Sequence, residues 1–312
     1  MHAFPILREV TGLRELETTL ALDAGAKLGE CLFWDTDVAQ LWMVDIHGRR
    51  VLRRDLCEAR AVEWRLPLRV GWVLPDQSGR FLVMGLQPGV ACAPLNNPCA
   101  NEGLARPFGD NLAHRPSDAK ADRTGAIRAG GMNNDGEELS DDCLFRLDAE
   151  GRLTVVDAGY YVANGPAIST DGRLILHTDS GRRTIYAFDL DMDPGELNGK
   201  RVWETFAEGE ACPDGRCFDV EGALWMELWG ASCLRRSDVP VRLLRCSYPR
   251  PAGLQRLFHR PALQSPVREH RARRPVGRGA GIRSLGRCAV RSHVTGHAGI
   301  RCASTMKPRD QD

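Results

Sequence analysis

Three oxygen-bearing residues stand at comparable points of the chain: Glu30 in LGECLFW, Asn164 in ANGPAIS and Asp214 in CPDGRCF. Each lies a few residues ahead of a recurring aspartate (Asp35, Asp171 and Asp219) that opens a turn before an alternating apolar run. Two carboxylates and an amide oxygen form a hard donor set, suited to Ca²⁺, Mg²⁺ or Mn²⁺, with Zn²⁺ admissible. Asp214 sits between Pro213 and Gly215. Proline fixes one backbone angle and glycine frees the next, so the pair can aim a carboxylate. Taken singly, each of the three is equally an ordinary turn residue; their shared phase favours convergence on one site.

The elements that would position them repeat along the chain. An aspartate, a short glycine-containing turn and an alternating run recur around Asp35, Asp76, Asp122, Asp171 and Asp219, at spacings of 41, 46, 49 and 48 residues. Hairpin-like pairs such as LWMVDIHGRRVLRRDL and CLFRLDAEGRLTVVDAG fill the intervals. Short alternating strands bounded by Gly, Asp and Pro specify an all-β fold. A repeat of about 45 residues, four strands each, specifies a β-propeller. Only LRELETTLAL, residues 13–22, has a helical period. Five copies from residue 30 predict a sixth near residue 265, where the chain instead reads LQSPVREHRARRPVGRGAG.

Charge divides the chain at the same place. Residues 1–234 carry a net charge of −13 and residues 235–312 of +14, and all seven Trp lie at or before Trp229. We read three segments: an N-terminal stretch (1–27), propeller blades (28–234) and an Arg-rich atypical tail (235–312). For the tail, a frameshifted sixth blade is favoured over a disordered extension. A nucleic-acid-binding arm ranks last, since the tail has almost no Lys and no recognisable motif. The four tail histidines (259, 270, 293 and 297) have no metal-ligand spacing. The 11 cysteines are scattered without a C-x-x-C pair, so reduced thiols are expected. Cys212 and Cys217, flanking Asp214, read as small apolar fillers rather than ligands. No apolar run is long enough to span a membrane, and the charged first thirty residues do not form a secretory leader, so a cytoplasmic location is expected.

The motifs LGECLFWD, LWMVDIHGRRVLR, ANGPAIS, RTIYAFDLD, ACPDG and VEGALWMELWG together resemble the gluconolactonase family that includes regucalcin (senescence marker protein), the six-bladed propeller sugar lactonases. The likeness runs over residues 28 to 233. It implies metal-dependent hydrolysis of a sugar lactone, an aldonolactone such as glucono- or arabinolactone. It also implies one divalent metal (Ca, Zn, Mn or Mg) held by Glu30, Asn164 and Asp214, with Asp214 also the candidate catalytic base and a metal-bound hydroxide the alternative. The partner implied is a small-molecule sugar lactone, with no nucleic acid and no membrane; the resemblance leaves the oligomeric state open. Arg115 and Ser117, in HRPSDAK, fall where the family contacts substrate, Ser117 replacing the usual Asn. Cys31 stands where the family usually has Gly. A non-catalytic, calcium-binding propeller or a damaged copy is the alternative.

Two acidic stretches imitate metal loops. DLDMDPGEL, residues 189–197, starts like an EF-hand, but Pro194 takes the glycine place and Lys200 the twelfth position, so a hairpin is expected. NNDGEELSDD, residues 133–142, reads as a solvated loop.

Overall fold

In the computed structural model, the described residues are 23–55, 60–134, 139–191, 195–230, 233–237 and 244–247. They form five four-stranded antiparallel sheets, each with its strands in chain order. The first comprises β1 (Gly29–Asp35), β2 (Gln40–Asp45), β3 (Arg50–Asp55) and β4 (Ala61–Arg65); the second β5 (Val70–Pro75), β6 (Phe81–Leu86), β7 (Gly89–Pro94) and β8 (Glu102–Ala105). The third comprises β9 (His114–Ala121), β10 (Ile127–Asn133), β11 (Asp142–Leu147) and β12 (Leu153–Tyr160). The fourth comprises β13 (Ala163–Ile168), β14 (Leu174–Asp179), β15 (Thr184–Leu190) and β16 (Leu197–Thr205). The fifth comprises β17 (Cys212–Phe218), β18 (Leu224–Trp229), β19 (Cys233–Ser237) and β20 (Leu244–Ser247).

The leading strands β1, β5, β9, β13 and β17 pack each against the next. This is the radial arrangement of propeller blades. The all-β propeller expected from the repeat is therefore present, with five blades. The expected sixth, near residue 265, and the helical stretch at 13–22 lie outside the described residues. Among those described there is no helix, and none long and apolar enough to cross a membrane. The core lies between neighbouring sheets: Trp42, Trp72, Met84 and Phe145 are fully buried in one cluster spanning the first three blades. Ala167, Leu176, Ile185 and Met226 join the fourth blade to the fifth.

The repeat aspartate sits in the turn between the first two strands of its blade. Asp76 Oδ1 accepts from the backbone N–H groups of Arg80 (3.0 Å) and Phe81 (2.8 Å). Asp219 Oδ1 does the same for Glu221 (3.0 Å) and Ala223 (2.9 Å). In the fourth blade the assignment moves. The backbone pairing that Asp76 makes with Phe81 and Gly79 is made there by Ser169, with Leu174 and Gly172. Asp171 is an exposed turn residue bonded to the Ser169 hydroxyl. Serine mimics the aspartate side-chain acceptor, which is why the pattern slipped by two positions.

At the flanks of the EF-hand-like stretch, β15 and β16 pair as far as Leu190–Leu197 and the Asp191 N–H donates to the Glu196 carbonyl (3.0 Å), as the expected hairpin requires. The second acidic stretch is only partly solvated. Asp142 is fully buried at the start of β11, because it accepts from the Asn133 N–H (3.0 Å) and pairs with His114. The expectation of reduced thiols holds for Cys31, Cys99, Cys143, Cys212 and Cys217, which are free. It fails at Cys92, which is disulfide-bonded, since spacing along a chain does not report which thiols neighbouring strands bring together.

Candidate functional site

Every leading strand breaks register near its start. On β1 two residues, 31 and 32, face the single Met43 between the Glu30–Val44 and Phe33–Trp42 pairs. The same two-against-one arrangement occurs at 117–118 on β9, 165–166 on β13 and 214–215 on β17. On β5 Gly71 is the extra residue. A bulge swivels the side chains beside it off the regular alternation. Glu30 and Asn164 stand immediately before their bulges, and Asp214 is the first residue within its own. The backbone shows the cost of this geometry. Gly165 has φ +52°, and Cys31, at the matching place on β1, has φ +51°. Cys31 is thus in a left-handed conformation natural to glycine, and its thiol packs against β5, accepting from the Val73 N–H at 3.4 Å. Burial pushes that thiol up to about 12.

Asn164 and Asp214 meet directly: Asn164 Nδ2 donates to Asp214 Oδ1 at 2.5 Å, while Asn164 Oδ1 accepts from the Gly165 N–H at 2.8 Å. Glu30 is close enough to feel the same carboxylate. Burial raises its proton affinity well above the usual range, and the charges of Asp214, Glu227 and Asp118 raise it further. Asp214 is likewise pushed up, by burial and then by Asp118, against the Asn164 bond and Arg216. Glu227 is pushed up to about 7 by burial and by Asp214.

Sequence reasoning missed two of these acids. Asp118 is the second bulge residue of β9, and Glu227 lies on β18 opposite the β17 bulge. Both read as ordinary strand residues until the bulge is known. An all-oxygen set with this excess of buried negative charge is what a hard divalent cation would relieve. Glu30, Asn164, Asp214 and Asp118 are the residues that could hold one.

The two positions expected to touch substrate differ. Arg115 is buried, with Nε on Asn134 Oδ1 (3.0 Å), Nη1 on the Pro116 carbonyl (3.2 Å) and Nη2 against Met132 Sδ (2.7 Å). Burial lowers its pKa to about 10, opposed by attraction from Glu30 and, more weakly, Asp214 and Asp142. Ser117 turns aside: its hydroxyl donates to the Ala163 carbonyl, stitching β9 to β13. Its lone pairs are what it has left to offer a ligand. Cys212 and Cys217 have thiols raised by burial, in keeping with packing rather than ligation.

A separate group with metal-ligating atoms lies on the third blade. His114, Asp141 and Asp142 bring one ligand atom each within 4.8 Å of one another. His114 Nδ1 is 3.0 Å from Asp142, Nε2 is 3.4 Å from Asp141, and Phe108 stacks on the ring. Its aspartates belong to the stretch expected to be solvated.

Known proteins share this architecture. The chain is 26% identical over 213 residues to regucalcin from Danio rerio, covering 68% of this chain and 71% of that protein. It is 26% identical over 223 residues to pentonolactonase XacC from Haloferax volcanii, covering 72% and 74%. A solved structure described as a calcium-binding protein, regucalcin, from Agrobacterium tumefaciens superposes with a TM-score of 0.67 at 21% identity, covering 72% of this chain and 75% of that one. The pattern described as SMP-30/Gluconolactonase/LRE-like region matches residues 28–248, and the chain belongs to that family.

Proposed function

We propose that this chain hydrolyses a sugar lactone to its aldonic acid, with one divalent cation held by Glu30, Asn164 and Asp214. The observation that carries this reading is the direct Asn164–Asp214 contact, beside a Glu30 whose proton affinity Asp214 itself raises. Relatives described as pentonolactonase and as a putative sugar lactone lactonase from Bacillus subtilis support the substrate class.

A bound divalent cation supplies polarisation of the lactone carbonyl and neutralises charge that develops on its oxygen. The chain's own groups account for the rest. Asp214 takes the proton of the attacking water as a bond forms to the carbonyl carbon. The ring C–O bond then breaks, and the ring oxygen leaves as a hydroxyl after receiving a proton. Glu227, on β18 opposite the β17 bulge, is a second, half-buried carboxylate able to hold that proton in transit. Arg115 orients the sugar hydroxyls or the ring oxygen, and Ser117 bears on the choice of sugar.

The test is proton release from a panel of aldonolactones. Protein stripped with EDTA is compared with samples refilled with Mn²⁺, Zn²⁺, Mg²⁺ or Ca²⁺. Cation-dependent turnover upholds the reading; no turnover with any cation overturns it. A second reading, a non-catalytic calcium-binding propeller, is favoured by the Agrobacterium relative's description, and predicts Ca²⁺ binding without turnover.

The same reading takes the complete propeller as six-bladed and soluble in the cytoplasm, with the Arg-rich tail a shifted reading frame. Translating the parent gene in the other two frames past codon 230 should reveal a strand-rich sixth repeat.

A further inference from the structure

We propose that the outer side of the third and fourth blades carries a binding site for a compact oxyanion of the phosphate or sulfate type. A cavity of about 300 Å³ lies there, lined by Arg146, Thr154, Val156, Gly195, Glu196 and Leu197. Behind Gly195 lies Arg128, on β10, which is wholly buried. Its Nε donates to Asp122 Oδ2 (3.1 Å) and its Nη2 to the Gly195 carbonyl, but Nη1 is buried without a partner. Arg146, on β11, also has a buried, unpartnered Nε. Its nearest carboxylate, Asp148, lies 3.8 Å from Nη1, beyond hydrogen-bond reach.

The two guanidiniums flank Gly195, Arg128 through the Nη2 that already holds the Gly195 carbonyl. A β-carbon at Gly195 would lie 3.1 Å from Arg128 Nη2 and 3.2 Å from Arg146 Nε. Buried charged donors are ordinarily satisfied, and like charges packed this closely repel. Water would supply acceptors but would not offset the repulsion. An oxyanion does both, with the Thr154 hydroxyl as a further donor. Of the two, Arg146 lines the cavity and would meet the anion directly, while Arg128 behind it adds charge that Asp122 only partly offsets. Glu196, exposed at the rim, opposes the anion and limits its affinity. None of these residues belongs to the lactone site, so this inference stands apart from the proposed function.

The experiment is titration of the full chain with inorganic phosphate, sulfate and a hexose 6-phosphate at constant ionic strength set with chloride. Calorimetry and ³¹P line broadening are the readouts. The expected result is saturable, one-site binding with a Kd of about 1 mM or tighter. Arg146→Gln should weaken it at least tenfold, and Glu196→Gln should tighten it severalfold. A non-specific salt effect would move neither variant. Tighter binding of the ester than of free phosphate, or the reverse, identifies the source, and either upholds the site. Lack of saturation by about 20 mM phosphate or sulfate overturns the proposal, as does unchanged affinity in Arg146→Gln with wild-type circular dichroism.

Discussion

The amide of Asn164 donates to the carboxylate of Asp214 across the gap between the leading strands of the fourth and fifth blades. The bond joins residues fifty positions apart and offsets part of the burial cost of Asp214. Replacing the amide by a carboxylate turns this attraction into repulsion. Asn164→Asp should therefore lower the Tm of EDTA-treated protein by several degrees, about 1–3 kcal/mol. The Tm gain on adding Ca²⁺ should be larger than in wild type. Scanning calorimetry with and without the cation checks both signs; an equal loss under both conditions would count against a shared cation.

Glu227 supplies a pH dependence. Its native pKa, about 7, lies above its ordinary 4.5, so the folded state binds more protons than the unfolded one across that window. Stability then falls as pH rises from about 4.5 to 7, in the same direction as the raised Glu30 and Asp214 contribute. Thermal melts of cation-free protein should show Tm declining over this range, with a shallower decline in Glu227→Gln. A Tm that rises steadily through it would contradict the buried acid cluster.

Cys31 offers a test of the bulge. It holds φ +51° without being glycine. Cys31→Ala loses the contact with Val73 and keeps the strained angle, whereas Cys31→Gly loses the contact and relieves the angle. The glycine variant should be the more stable of the two by about 1 kcal/mol, read from urea midpoints at equal slope.

The turn aspartates are not equivalent. The Asp219 carboxylate accepts from the backbone N–H groups of Glu221 and Ala223, from Trp225 Nε1 (2.8 Å) and from Arg236 Nε (2.8 Å). Asp219→Ala should cost about 2–4 kcal/mol. Asp171→Ala, at the exposed position beside Ser169, should cost about 1 kcal/mol or less. Chemical denaturation of the two variants side by side tests the assignment of Ser169 as the fourth blade's turn residue.

For catalysis, Asp214→Asn with retained strand circular dichroism should lower kcat for the best lactone about 10²-fold or more. Near wild-type turnover would remove Asp214 from the chemistry.

Much of this fold was legible because turn chemistry and two-residue alternation are local properties. Asp76, Asp122 and Asp219 each announce the turn in which they stand. Glu30, Asn164 and Asp214 could be proposed together for the same reason, since each lies five residues ahead of its own blade's turn residue, Asp35, Ser169 and Asp219. Asp118 and Glu227 were not, because their burial depends on where β9 and β17 slip by one residue against their neighbours, and the composition of the strands does not encode the slip. Asp142 was hidden in an acidic run whose flanks are solvated. Ser169 escaped notice because Asp171, two residues later, offered a better-looking match.

The register breaks at the start of the leading strands separate two kinds of position. Residues inside a bulge take little part in strand pairing, so their identity is only weakly bound to whether the sheet forms. Exchanges such as Cys for Gly at 31 or Ser for Asn at 117 can accumulate there while the blades persist. The propeller thus acts as a frame in which specificity is rewritten without renegotiating the fold, and diversity among relatives should concentrate at residues 31–32 and 117, while Gly165, whose φ of +52° and close Asp214 carbonyl exclude a side chain, should stay glycine.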